Sequence, residues 1–172
     1  MNIQSNDFEL FSLPVQFAQS RATIDARWKE LQREAHPDKF AAQGAAAQRV
    51  AMQWSVRINE AYQRIKDPLR RATYLCELHN APINAENNTA MPAGFLMQQM
   101  EWREALDEAK TVQELTEIAL RPSEYAREQL SKIEQMIDIQ KDYLGAAQQV
   151  RSLMFVERFA GEVDARIDQL GQ

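Results

Sequence analysis

The chain has 172 residues, a formal net charge of −5, 45% apolar and 26% charged residues, five glycines and six prolines. That length and composition suit a globular protein of one mid-sized or two small domains, and the wealth of Ala, Gln, Glu, Leu and Arg over turn formers predicts a mostly helical one. The acidic balance argues against broad nucleic-acid binding, no apolar run approaches the roughly 20 residues of a membrane span, and one cysteine with two histidines (Cys76, His36, His79) supplies neither an internal disulfide nor an ordinary structural zinc site.

Residues 1–7 hold no basic segment followed by an apolar run, so no secretory signal is expected and a reducing, cytoplasmic setting fits. A short apolar turn, Phe8 to Leu13, ends at Pro14. A helix is predicted from about Ser20 to Ala35, with Ile24, Trp28, Leu31 and Ala35 on one stripe. Pro37 biases His36 out of the helical region and should stop that helix. Residues 36–47, including Gly44, read as a loop. A longer helix is predicted from about Ala46 to Lys66, its stripe made of Val50, Trp54, Ile58, Ala61 and Ile65. Asp67-Pro68 closes it, and Leu69 to Leu78 forms one more short helix. Two amphipathic helices joined by a loop predict an antiparallel hairpin with the loop at its tip.

From Asn80 to Pro92 the composition shifts to prolines and asparagines, the mark of a linker. Helices are then predicted over about Ala93–Ala109, Val112–Tyr143 and Ala146–Leu170, which suits a small antiparallel bundle. Pro122 should kink or split the middle one near Arg121. The expected organisation is therefore all-α: a helical hairpin domain over residues 1–78, a linker over 79–92 and a three-helix bundle over 93–172.

The tripeptide His36-Pro37-Asp38 is weak by itself, since a Pro followed by Asp also makes an ordinary turn. Acid–base cooperation between His36 and Asp38 is conceivable. Yet no Ser or Cys nucleophile is placed beside them by sequence, no metal cluster is available and no phosphate-binding glycine motif is present. No catalytic, metal or cofactor role is assigned, and a non-enzymatic role is expected.

Context strengthens the tripeptide. It lies between two amphipathic helices, is followed by Lys39-Phe40, and the second helix ends in Asn59-Glu-Ala-Tyr62 and Asp67-Pro-Leu-Arg-Arg71. With Phe8-Glu-Leu-Phe11 and Leu13-Pro14 at the start, residues 5–75 resemble a J-domain. The resemblance implies that His36, Pro37 and Asp38 dock on a DnaK-type chaperone and stimulate its ATPase without catalysis by this chain. Lys29 and Arg33 on the preceding helix are either electrostatic contacts for that chaperone or a solvated basic face. Glu30 and Glu34 interrupt the run, so any steering is modest.

The helix after the linker carries two apolar faces. At about 100° per residue, Phe95, Trp102, Leu106 and Ala109 fall on one side, with Leu96, Met97 and Met100 nearly opposite. A helix packed on one side needs one apolar face. The second is either packed against the N-terminal domain or left open as a binding patch, and the patch is the preferred reading. In the last helix Leu153, Val156, Ala160, Val163, Ile167 and Leu170 form the core stripe, with Phe155 on its flank.

Taken together, the J-domain, the linker and a bundle bearing Phe95-Leu-Met97, Glu101 and Arg103-Glu104 closely resemble the HscB family of bacterial iron–sulfur cluster co-chaperones, along essentially the whole chain. The resemblance implies two partners, the chaperone HscA and the scaffold protein IscU. The implied scaffold-binding positions are Leu96, Met97, Met100, Glu101, Arg103, Glu104 and Phe155. Met100 stands where the family has leucine, a tolerable exchange, and Pro122 departs from the smooth middle helix the family leads one to expect. The alternative is a J-domain co-chaperone serving other clients in general protein folding.

Overall fold

A computed structural model of the chain describes residues 2–84 and 88–171. These residues form helices and the segments joining them, so the all-α expectation holds. The chain divides into two compact units, residues 1–75 and 76–172, and α4 (Pro68–Leu78) runs across the boundary.

The first unit is built on a hairpin of α2 (Arg21–Ala35) and α3 (Ala45–Lys66), preceded by the short α1 (Asp7–Leu10). Each start has a chemical cause. Asn6 and Glu9 cap α1 reciprocally, and the Ser20 side chain accepts the N–H of Thr23 to start α2. Asp67 accepts the N–H of Arg70 at 2.9 Å and so caps α4. That helix opens on Pro68, one residue before the expected Leu69, because proline at the first helical position sacrifices only a donor that no helix would use. Phe8, Leu10, Ile24, Leu31, Ile58, Ala61 and Ile65 are buried as the core.

A line of polar contacts fixes the register of α2 against α3. Trp28 Nε1 donates to Asn59 Oδ1 at 3.0 Å, Gln32 donates to the same oxygen at 2.7 Å, and Tyr62 donates to Asp25 at 2.7 Å. The Trp28 and Tyr62 rings stack 4.7 Å apart. Hydrogen bonds from the Tyr62 hydroxyl and then Arg21 hold the Asp25 carboxyl below its usual range. One expected stripe position fails: Val50 is 52% exposed, and Ala51 is buried instead. Near the connecting loop α2 and α3 border a cavity of about 430 Å³, and Val50 only edges it alongside Ala35, Phe40 and Trp54.

The second unit is built from α5 (Phe95–Glu108), α6 (Val112–Glu134) and α7 (Tyr143–Leu170). Pro122 is buried within α6, which continues through it unbroken, so the helix is not split there. The break comes later. Residues Gln135–Gln140 widen into a π-helical turn, Lys141 adopts a left-handed conformation (φ 56°), and Asp142 accepts the N–H of Gly145 at 3.0 Å to start α7. The expected boundaries at Tyr143 and Ala146 therefore move. Lys141 takes the left-handed place a glycine usually fills, and the Asp142 N–H donates to the Met136 carbonyl at 2.8 Å to close the turn, so no composition signal marks the stop.

Leu153, Val156 and Val163 are buried as expected, and so is Phe159, which the stripe omitted; Leu170 is 47% exposed. The contacts of Trp102 with Phe159 and Arg103 with Glu162 set α5 alongside α7.

The described part of 79–92 is not a free tether. Ala81 and Ile83 are buried, and Arg151 of α7 donates to the carbonyl oxygens of Ile83 (2.8 Å), Ala90 (3.1 Å) and Pro82 (3.3 Å). The segment is strapped to the second unit by one guanidinium.

Candidate functional site

Two surfaces carry the residues singled out in the sequence, one on each unit. On the first unit α2 stops at His36, whose backbone is extended (φ −60°, ψ 128°) as Pro37 requires. The next residues are not irregular as expected: Pro37–Gln43 wind into a 3-10 helix. Proline at its start and the His36 side chain at its cap provide the cause. His36 Nδ1 accepts the Asp38 N–H at 3.2 Å, which directs Nε2 and its proton outward in the neutral ring. Gly44 (φ 100°) then turns the chain into α3.

His36 and Asp38 side chains are 58% and 90% exposed and sit 3.6 Å apart. The turn thus offers an imidazole and a carboxylate to solvent, which suits docking on a partner. Lys29 and Arg33 lie one turn apart on α2 and are exposed. Arg27 is not available in the same way, since it pairs with Glu30 and donates to the Phe11 carbonyl at 2.9 Å.

On the second unit α5 has the two faces its sequence foretold. Phe95, Trp102, Leu106 and Ala109 are buried. Phe95 stacks on Tyr125 at 5.3 Å, Trp102 stacks on Phe159 at 5.6 Å, and Phe155 meets Phe95 edge-on at 5.9 Å. Leu96, Met97 and Met100 stand 68%, 68% and 63% exposed on the other side. Glu101 and Glu104 are exposed beside them, and Phe155 is half-buried at the patch edge. Arg103 is held differently: it pairs with Glu162 and lies over the Phe159 ring at 5.6 Å. That hydrogen bond raises the Arg103 pKa and lowers that of Glu162.

Sequence reasoning missed the buried polar anchors. Asp7 is fully buried and receives Arg57 at 2.8 Å and Arg64 at 2.5 Å. Arg71 donates to the carbonyls of Ile65 (2.8 Å) and Phe17 (2.7 Å). A charged residue inside an apolar run, as in Val150-Arg151-Ser152-Leu153, was the one available signal for Arg151. Among the described residues no group of three or more His, Cys, Asp or Glu is placed to hold a metal ion, and no helix is long and apolar enough to cross a membrane.

The family model described as "HSCB C-terminal oligomerisation domain" matches residues 91–164. The co-chaperone protein HscB homolog of Burkholderia thailandensis is 49% identical over 99% of this chain and 98% of its own length. The chain belongs to the HscB co-chaperone family. HscB from Vibrio cholerae, at 35% identity, superposes with a TM-score of 0.82 over 96% of this chain and 99% of its own. Human co-chaperone HscB, at 24% identity, shares the fold with a TM-score of 0.84 over 98% of this chain and 83% of its own. As an HscB-family member the chain is a non-catalytic co-chaperone, and the apolar face of α5 lies within the matched C-terminal region.

Proposed function

We propose that this chain delivers an iron–sulfur cluster scaffold of the IscU type to the DnaK-type chaperone HscA and stimulates its ATPase, which promotes cluster transfer to acceptor proteins. Residues 1–78 act as the J-domain. His36, Pro37 and Asp38 dock on the chaperone, with Lys29 and Arg33 adding charge attraction. Residues 93–172 capture the scaffold through Leu96, Met97, Met100 and Phe155, flanked by Glu101, Arg103 and Glu104. The setting is the cytoplasm.

The observation that carries this reading is the second apolar face of α5. Three large apolar side chains sit together in solvent, an arrangement that marks a partner site. The cluster is cargo held by the scaffold. The only cysteine here, Cys76, is buried, and one thiol is too few for a cluster.

The test is ATPase stimulation of HscA by this chain, with and without the scaffold. Synergy between chain and scaffold, lost in Leu96→Ala/Met97→Ala/Met100→Ala but kept by a surface control, supports the reading. Stimulation indifferent to the scaffold points instead to a J-domain serving other clients.

A further inference from the structure

A cleft of about 780 Å³ opens beside the apolar patch, between residues 88–94 of the strap and the outer face of α7. Leu96, Gln99 and Phe155 line it on the patch side, and Arg151 and Arg158 line it on the α7 side. Arg151, Phe155 and Arg158 are spaced by four and three, so they form one stripe of α7. Among the described residues no Asp or Glu lines the cleft.

Arg151 is 5% exposed, and its partners are three neutral carbonyls. Among the described residues no carboxylate pairs with Arg151 or with the exposed Arg158. Removing a charge from water is costly, and carbonyl dipoles offset that cost without cancelling the charge. The cleft floor therefore keeps a positive potential inside low-dielectric walls, with a second cation at the rim.

Across Phe155 the sign reverses. The cleft on that side, of about 670 Å³, is lined by Met100, Glu104, Asp107 and Glu108, and its single cation, Arg103, is already paired with Glu162. Phe155 borders both clefts. The apolar patch is thus flanked by a basic cleft on one side and an acidic one on the other.

We infer that the basic cleft takes an acidic side chain of the client scaffold, and that the opposed charge of the two clefts fixes the direction in which the client lies over Leu96, Met100 and Phe155. The inference rests on the reading of the α5 patch as the client site. The occupant it names is a client segment with an apolar residue for the ridge, a carboxylate for the Arg151–Arg158 side and a cation for the Glu104–Asp107–Glu108 side. The apolar contacts supply the affinity, and the charges supply register and rate of capture.

The experiment is a titration of IscU into full-length wild type, Arg158→Glu, Thr89→Lys and the Leu96→Ala/Met97→Ala/Met100→Ala variant, each at low and high salt. Arg158 and Thr89 are both exposed, and thermal melts check that the fold is kept. Arg158→Glu is expected to weaken binding about tenfold at low salt, mainly through slower association. Thr89→Lys adds a cation to the basic cleft alone, since Thr89 lines it and not the acidic one, and is expected to tighten binding about twofold. Both differences should shrink at high salt. If both variants bind as wild type while the triple variant does not, the basic cleft is no client contact and the patch reading survives. If the triple variant also binds as wild type, the patch reading falls and takes the inference with it. A change in the chain's own sedimentation in Arg158→Glu, without a change in scaffold affinity, would make a second copy of this chain the occupant and overturn the inference.

Discussion

The Nε of Arg151 donates to the carbonyl oxygen of Ile83 across 2.8 Å, joining the middle of α7 to a residue 68 positions earlier in the chain. Its two other donors reach Ala90 and Pro82. Arg151→Met keeps much of the stem's packing but leaves three carbonyls without this donor. We expect a loss of about 3 kcal/mol in stability by chemical denaturation, with faster proteolysis near residues 81–84 and 88–92. Unchanged stability would mean that burial of Ala81 and Ile83 alone holds the strap.

His36 caps the 3-10 turn through a single exposed hydrogen bond. Its removal in His36→Gln should change stability by no more than about 0.5 kcal/mol, as for other surface positions. Stimulation of HscA ATPase should nevertheless be lost. A His36→Gln chain that stimulates as wild type removes the loop from the proposed mechanism.

Leu96, Met97 and Met100 bury little in the free chain, so alanine at all three positions should leave the melting temperature within a few degrees of wild type. Scaffold binding should fall by at least about a hundredfold, since central apolar anchors dominate such interfaces. A thermal melt checks that the fold is kept, and a calorimetric titration with the scaffold measures the affinity lost.

Burial pushes the Cys76 thiol from its ordinary 9.0 up to about 11, with its Sγ 3.7 Å from the Tyr143 carbonyl. The native thiol should react slowly with a thiolate-selective reagent at pH 8 and rapidly once the chain is unfolded. The sign of the linked pH effect follows from the raised native value. Between pH 9 and 11 the unfolded chain loses the proton that the folded chain keeps, so this contribution is complete below pH 9 and declines toward pH 11. Denaturation midpoints of wild type and Cys76→Ala across that range should converge as pH rises.

Much of the fold and of the arrangement of α5 is legible in the amino-acid sequence. The stop at His36 followed from Pro37 alone, because the ring of a proline forbids the helical conformation one residue earlier. The two faces of α5 followed from the 3.6-residue period acting on Phe95, Trp102 and Leu106 against Leu96, Met97 and Met100. Two positions depart from their local signals. Pro122 ordinarily breaks a helix, yet it is buried within the unbroken α6. Lys141 carries no sign of a left-handed stop.

By itself the amino-acid sequence determined the helical class, the hairpin with its His36-Pro37-Asp38 tip and the presence of a second apolar face on α5, because each follows from periodicity and from backbone restrictions between near neighbours. Only the tertiary structure decided that Arg151 straps residues 82, 83 and 90, that Arg103 is occupied by Glu162 and that Phe155 separates clefts of opposite charge. Those relations join residues tens of positions apart. Their strength depends on burial and on which charges meet, and no local pattern encodes either.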